Sequence, residues 1–107
     1  MLKKSFRLRK KKDFARVFRY GKPLFFNGFG CKYIKNNLEN DRLGFSFSKK
    51  YLKTAVLRNR FKRRMVGVYN KRYNFNGVDI VFFLTQPHEK LQSDAIEAFL
   101  EKINQKI

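Results

Sequence analysis

Arg58, Asn59, Arg60, Lys62, Arg63 and Arg64 fall within seven consecutive residues with no carboxylate among them. Guanidinium groups match phosphate oxygens two at a time, and lysine adds a compact point charge. Asn59 can donate to and accept from RNA groups. A merely solvated helix face usually mixes acids with bases, so that side chains one turn apart can pair. Here the like charges have no such partners, which calls for an external polyanion. Lys49, Lys50 and Lys53 extend the run upstream, and residues 49–72 hold ten Lys/Arg and no Asp or Glu.

A second constellation lies near the N-terminus. Phe14 and Phe18 stand four residues apart among Arg9, Lys12, Arg16 and Arg19, and Tyr33 follows between Lys32 and Lys35. Rings beside cations are what unpaired RNA bases stack on. The same spacing also serves a hydrophobic core, so both uses stand for Phe14 and Phe18. Residues 1–22 hold ten Lys/Arg against one acid, Asp13, whereas the stretch from Thr85 to Ile107 has three lysines and four acids. A net charge of +18, segregated in this way, is the footprint of a nucleic-acid binder.

The residues of enzymatic catalysis are sparse. The acids Asp13, Glu39, Asp41, Asp79, Glu89, Asp94, Glu97 and Glu101 are scattered without a motif spacing. There is no glycine-rich phosphate loop and no nucleophile elbow. Cys31 lies on an expected strand and reads as a core residue. His88, beside Pro87, reads as a surface loop residue. One cysteine and one histidine build neither a disulfide nor a metal cluster, so no metal site is expected on the chain. No apolar run reaches the ~18 residues of a membrane span, and no secretory signal is visible, so the expected location is the cytoplasm. With 13 Phe, 5 Tyr and 43% hydrophobic residues, the chain is not a disordered basic tail.

These groups need elements to position them. The length suits one RNA-binding domain over residues 1–107, with residues 1–10 expected as a flexible basic arm. Asp13 is a candidate cap for a short helix carrying Phe14, Val17 and Phe18 on one face, and Gly21 suits its left-handed terminus. Leu24–Lys35 reads as strand, with LFFN a possible separate piece and the glycines marking a bulge or a close approach. NNLEND is a turn. Arg42–Ser48 alternates as a strand with Leu43, Phe45 and Phe47 on its core face. Thr54 caps a long helix to about Arg72, anchored by the stripe Leu57, Phe61, Met65 and Val68. Val78–Leu84 is a strand buried on both faces. Ser93 caps a last helix carrying Ile96, Phe99, Leu100 and Ile103. The expected class is α+β, an α-β sandwich with a three- to four-stranded sheet and three helices in the order α-β-β-α-β-α.

Ser48-Lys49-Lys50, then Ala55-Val56-x-Arg58-Asn59-Arg60-x-Lys62-Arg63, resembles the signature of the bacterial ribonuclease P protein component. Arg7-Leu8, Asp13-Phe14, Arg42-Leu43-Gly44-Phe45-Ser46 and Gly77-Val78-Asp79-Ile80-Val81 match the same family in order over most of the chain. The resemblance implies a sandwich with a left-handed βαβ crossover, an exception to the usual hand. It implies a ribonucleoprotein endoribonuclease whose chemistry resides on a magnesium-dependent RNA subunit, with no cofactor held by the protein. Partners would be that catalytic RNA and precursor tRNA, with no membrane and no obligate protein partner. By position, Lys49, Lys50, Lys53, Arg58, Asn59, Arg60, Lys62, Arg63 and Arg64 would meet the catalytic RNA. Phe14, Phe18, Tyr33, Arg9 and Lys12 would meet the 5′ leader of precursor tRNA, in a cleft between the first helix and the sheet. The family helix usually continues with Arg-Glu where this chain has Val66-Gly67, and Arg64 is the neighbouring charge. A helix glycine costs up to about 1 kcal/mol against alanine, and a kink or close packing is expected there. A structural ribosomal protein is the alternative of similar size and charge, and a DNA- or membrane-surface binder is a third reading. The membrane reading is disfavoured because the apolar stripe of the basic helix is needed for the core.

Overall fold

The computed structural model describes residues 6–87 and 93–107. Its elements are α1 (Lys11–Tyr20), β1 (Lys22–Phe26), β2 (Phe29–Lys35), β3 (Arg42–Phe45), α2 (Ala55–Arg72), β4 (Val78–Leu84) and α3 (Ser93–Lys106). One four-stranded mixed sheet runs β1-β2-β4-β3. β1, β2 and β4 pair antiparallel, and β3 joins β4 in parallel across the α2 connection.

The run from Leu24 to Lys35 is a hairpin, with residues 24–26 of the LFFN piece falling in the separate strand β1. Phe26 pairs with Phe29 across Asn27-Gly28, and both turn residues have positive φ, 48° and 85°. That is the backbone an Asn-Gly dipeptide favours in a two-residue hairpin. β4 lies between β2 and β3 and is almost wholly buried, as its apolar run required.

The pleat divides the strand residues between two faces. Phe29 and Cys31 of β2, Leu43 of β3, and Val78, Ile80, Phe82 and Leu84 of β4 form the main core with Phe61, Met65, Val68 and Tyr69 of α2 and Ile96, Phe99, Leu100 and Ile103 of α3. The opposite face meets α1 through a smaller cluster of Val17, Val81 and Leu8, with Phe14 and Ile34 packed against it. Cys31 is buried, and burial pushes its thiol up to about 12.

Two buried carboxylates tie these layers. Asp41 accepts from Tyr69 Oη at 2.7 Å and from the Phe75, Gly77 and Val78 N–H groups at 2.7, 2.8 and 2.9 Å. Asp79, on the α1 face of β4, accepts from Arg42 through Nε at 2.8 Å and Nη2 at 2.6 Å, and from Asn36 at 3.0 Å. Arg16 of α1 also pairs with it. Burial alone would raise the Asp79 carboxyl, but hydrogen bonds from Arg42 and Asn36 and the charges of Arg42 and Arg16 outweigh it. The result is a carboxyl held below its ordinary 3.8.

Several local expectations change. α1 begins at Lys11, and its N-cap Lys10 makes no side-chain cap bond, so Asp13 lies in the first turn, within 3.7 Å of Arg42. Gly21 has an extended φ of −72° rather than a left-handed one. Its small size serves a close approach, since a Cβ would stand 2.4 Å from the Val17 carbonyl oxygen. Of the expected loose arm, residues 1–5 lie outside the described residues. Arg7 and Leu8 do not belong to such an arm: Arg7 bridges Leu43, and the buried Leu8 donates to the Leu43 carbonyl at 2.9 Å. On α2, Leu57 is 37% exposed and Phe61, Met65 and Val68 carry the anchor with Val66 and Tyr69. Leu57 sits in the first turn, before the helix reaches the core. α2 continues unbroken through Gly67, which meets nothing within 4 Å, so neither a break nor a close packing occurs there. His88 and the residue before Ser93 lie outside the described residues.

Two outcomes follow. Gly67→Ala should stabilise the protein by up to about 1 kcal/mol, read by chemical denaturation, because the site is open and helical. Asp79→Asn should cost about 3 kcal/mol, the low end for a broken buried pair since its arginines are partly exposed. Asp79 titrates lower in the folded chain, so its contribution is complete above 3.8 and is lost as pH falls through the folded value. Stability of the Asn variant should therefore depend less on pH in that acidic range, measured by denaturation at several pH values.

Candidate nucleic-acid interface

The basic helix starts at a built corner. The Ser48 carbonyl accepts from the Tyr51 and Leu52 N–H groups, at 3.1 and 2.9 Å, and Ser48 Oγ accepts from the Lys50 N–H at 3.1 Å. Leu52 is buried and pins the loop, leaving Lys49, Lys50 and Lys53 exposed around it. Thr54 Oγ1 then accepts from the Leu57 N–H at 3.1 Å, which caps α2. No acid occupies the first turn of α2, so the positive end of the helix dipole adds to the local field.

Asn59, Arg60, Lys62, Arg63 and Arg64 are exposed on α2. Arg58 differs: it is half-buried and donates from Nη1 to the Leu52 carbonyl at 3.0 Å, so part of its role is to lock the Lys49–Lys53 loop to the helix. Its other N–H groups can still reach a phosphate.

The aromatic constellation is built on α1. Phe14 is half-buried and lies across Gly44, where a Cβ would stand 2.7 Å from Phe14 Cζ. Phe18 is exposed, and its ring faces Phe83 of β4 at 6.2 Å between centroids. Lys32 reaches over the Phe18 ring at 5.8 Å and donates to the Phe18 carbonyl at 2.8 Å, satisfying an acceptor at the end of α1. Tyr33 does not join this group. It packs against the main core with α2 and α3, while its neighbours Lys32 and Ile34 face α1. Successive strand residues point to opposite faces, so a reading one position off places the side chain behind the sheet.

The two constellations meet in a cleft of about 480 Å³. Arg7, Leu8, Arg9 and Phe14 line one side, Gly44 and Phe45 the floor, and Asn59, Lys62, Arg63 and Val66 the other side. Arg9 and Phe14, assigned from sequence to one RNA, thus share a cavity with Asn59, Lys62 and Arg63, assigned to another. Lys12 is exposed on α1 outside that lining. Sequence reasoning missed Arg7, Val66, Lys32 and Phe83. The last two were legible from the period-two alternation once the face of α1 was known. Among the described residues, no group of three or more His, Cys, Asp or Glu is placed to hold a metal, and no helix is long and apolar enough to cross a membrane.

The ribonuclease P family model matches residues 2–107. The chain belongs to this family. The ribonuclease P protein component of Marinobacter nauticus is 33% identical over 101 residues, covering 94% of this chain and 76% of the relative. The solved ribonuclease P protein of Staphylococcus aureus superposes with a TM-score of 0.79 at 29% identity, covering 96% of this chain and 95% of that one. That of Thermotoga maritima gives 0.78 at 25% identity, covering 94% and 96%. As a ribonuclease P protein the chain is part of a ribonuclease P complex with an RNA partner, in tRNA 5′ processing. The ribosomal alternative finds no support.

Lys62 and Arg63 are exposed on the cleft wall, so replacing both with alanine should leave the thermal midpoint unchanged. RNA affinity should fall, and the slope of log K against log salt should become shallower by about 1 to 2, as two phosphate contacts are lost. An unchanged slope in a salt titration would remove both residues from the interface.

Proposed function

We propose that this chain is the ribonuclease P subunit that binds the catalytic RNA through α2 and its preceding loop, and the 5′ leader of precursor tRNA along α1. The observation carrying this reading is the shared cleft, which Arg9 and Phe14 line together with Asn59, Lys62 and Arg63 of α2. In this arrangement one protein holds the leader beside the catalytic RNA. Lys49, Lys50, Lys53, Arg58, Asn59, Arg60, Lys62, Arg63 and Arg64 face the catalytic RNA. Phe14, Phe18, Arg9 and Lys12 face the leader, with Lys32 in the place that the sequence reading gave to Tyr33. The whole chain acts as one RNA-binding domain, working in the cytoplasm.

The hydrolytic step is assigned to the RNA subunit, with magnesium bound there. The chemistry of the chain supports this division. Asp41 and Asp79 spend their oxygens on protein donors, and the Cys31 thiol is buried and hard to ionise. The protein's share is electrostatic and positional: it neutralises phosphate repulsion between two RNAs and fixes the leader's path.

Reconstitution tests this reading. Protein added to its cognate catalytic RNA should cleave precursor tRNA at lower magnesium than the RNA alone, with tighter binding of leader-bearing than of mature tRNA. No change in rate, leader affinity or magnesium requirement would overturn it, as would copurification with whole ribosomal subunits in place of a single RNA.

A further inference from the structure

The α1 face of the sheet is arranged in rows across the strands. Arg42, Asp79 and Ile34 form the first, and Gly44, Val81, Lys32 and Pro23 the second. α1 covers these two through Arg16 on Asp79, Val17 against Val81 and Phe14 on Gly44. The third row is Phe83, Gly30 and Phe25. Phe18 reaches it from α1.

This row has an unusual construction. β1 and β4 are two strand spacings apart, about 9.6 Å. The rings of Phe25 and Phe83 nevertheless approach to 6.0 Å between centroids, edge to face at 71°. Gly30 makes room for this, since a Cβ there would stand 2.4 Å from Phe83 Cε2. The outcome is a chain of rings, Phe18–Phe83–Phe25, leading from α1 to the β1 edge. Phe25 is 59% exposed, so it contributes little burial to the fold. From Phe14 to Leu38 the chain has five Lys/Arg and no carboxylate, and Lys32 reaches over the Phe18 ring. An apolar protein surface would gain nothing from that field, whereas an RNA strand gains from both the cations and the rings.

We propose that Phe25 and Phe83 form an additional stacking site for an unpaired nucleobase of the leader, beyond the position offered by Phe18. The assignment rests on the reading of the α1 cleft as the leader site and extends it to the β1–β2 hairpin. Recognition is by the face of the base, so the site tolerates any base and favours purines for their larger area. The phosphate beside that base on the α1 side lies within the field of Lys32.

The experiment uses the reconstituted holoenzyme and precursor tRNAs whose leaders lengthen one nucleotide at a time. Wild-type affinity should rise in steps, and the step at which the leader reaches Phe25 should be about tenfold. Phe25→Ala should lose that step alone, Phe25→Leu should lose it too, and Phe25→Trp should keep it, with thermal midpoints unchanged for this exposed position. Gly30→Ala, which displaces the Phe83 ring, should lose the same step. A 2-aminopurine at that leader position should be quenched on binding to wild type and not to Phe25→Ala. Wild-type behaviour of Phe25→Ala at every leader length overturns the site while leaving the leader reading intact, as does Phe25→Leu retaining the step. Equal binding of precursor and mature tRNA by the wild type overturns the leader reading and this site together.

Discussion

The carboxylate of Asp41 holds the start of β3, the last turns of α2 and the turn entering β4 at one buried point. Its oxygens take up one hydroxyl and three backbone N–H groups, from Tyr69, Phe75, Gly77 and Val78. The parallel β3–β4 pair depends on this knot, because the chain leaves the sheet as α2 and must return beside its point of departure. Lys49–Arg64 therefore projects from a scaffold fixed at both ends of the crossover. Without that fixed return, the basic residues would be a like-charged segment repelling itself.

Asp79 does for α1 what Asp41 does for α2. Its oxygens take up Arg42 from the neighbouring strand and Arg16 from the helix above, so α1 is joined to the sheet electrostatically as well as through Val17. In a chain of charge +18, the carboxylates are scarce, and two of them are buried where they govern element placement. The free positive surface is thus the remainder after the structure has taken the acids it needs. The aromatic inventory divides in the same way. Phe29, Phe61, Phe82 and Phe99 fill the core, while Phe14, Phe18, Phe83 and Phe25 line the α1 face, with Phe25 at the β1 edge the most exposed.

Much of this was legible from residue order. The helices, the doubly buried β4 and the charged face of α2 follow from periodicity and charge, which are local properties. The Asn27-Gly28 hairpin was equally local: the separate LFFN piece was read from the sequence, but the turn joining it to the next strand was not. Tyr33 and Leu57 went the other way for related reasons. A strand's period gives two faces without saying which one a distant helix covers, and a helix stripe does not reveal where the core begins along the axis. The roles of Asp41 and Asp79 lie outside any local pattern, because their donors are 28 to 37 residues away for Asp41 and up to 63 for Asp79. The glycines at 30 and 67 look alike in sequence. One lets two rings meet and the other faces open space, a contrast that only the packing discloses.

The burial of Cys31 has a practical consequence. The chain's only sulfhydryl is shielded and stays protonated at neutral pH, so maleimides and similar reagents find no good target on the native surface. A cysteine introduced at any exposed position becomes the unique point of attachment for a fluorophore or spin label, with no need to delete the native one. Distances from α1, α2 and the hairpin to a labelled RNA can then be measured on otherwise unaltered protein.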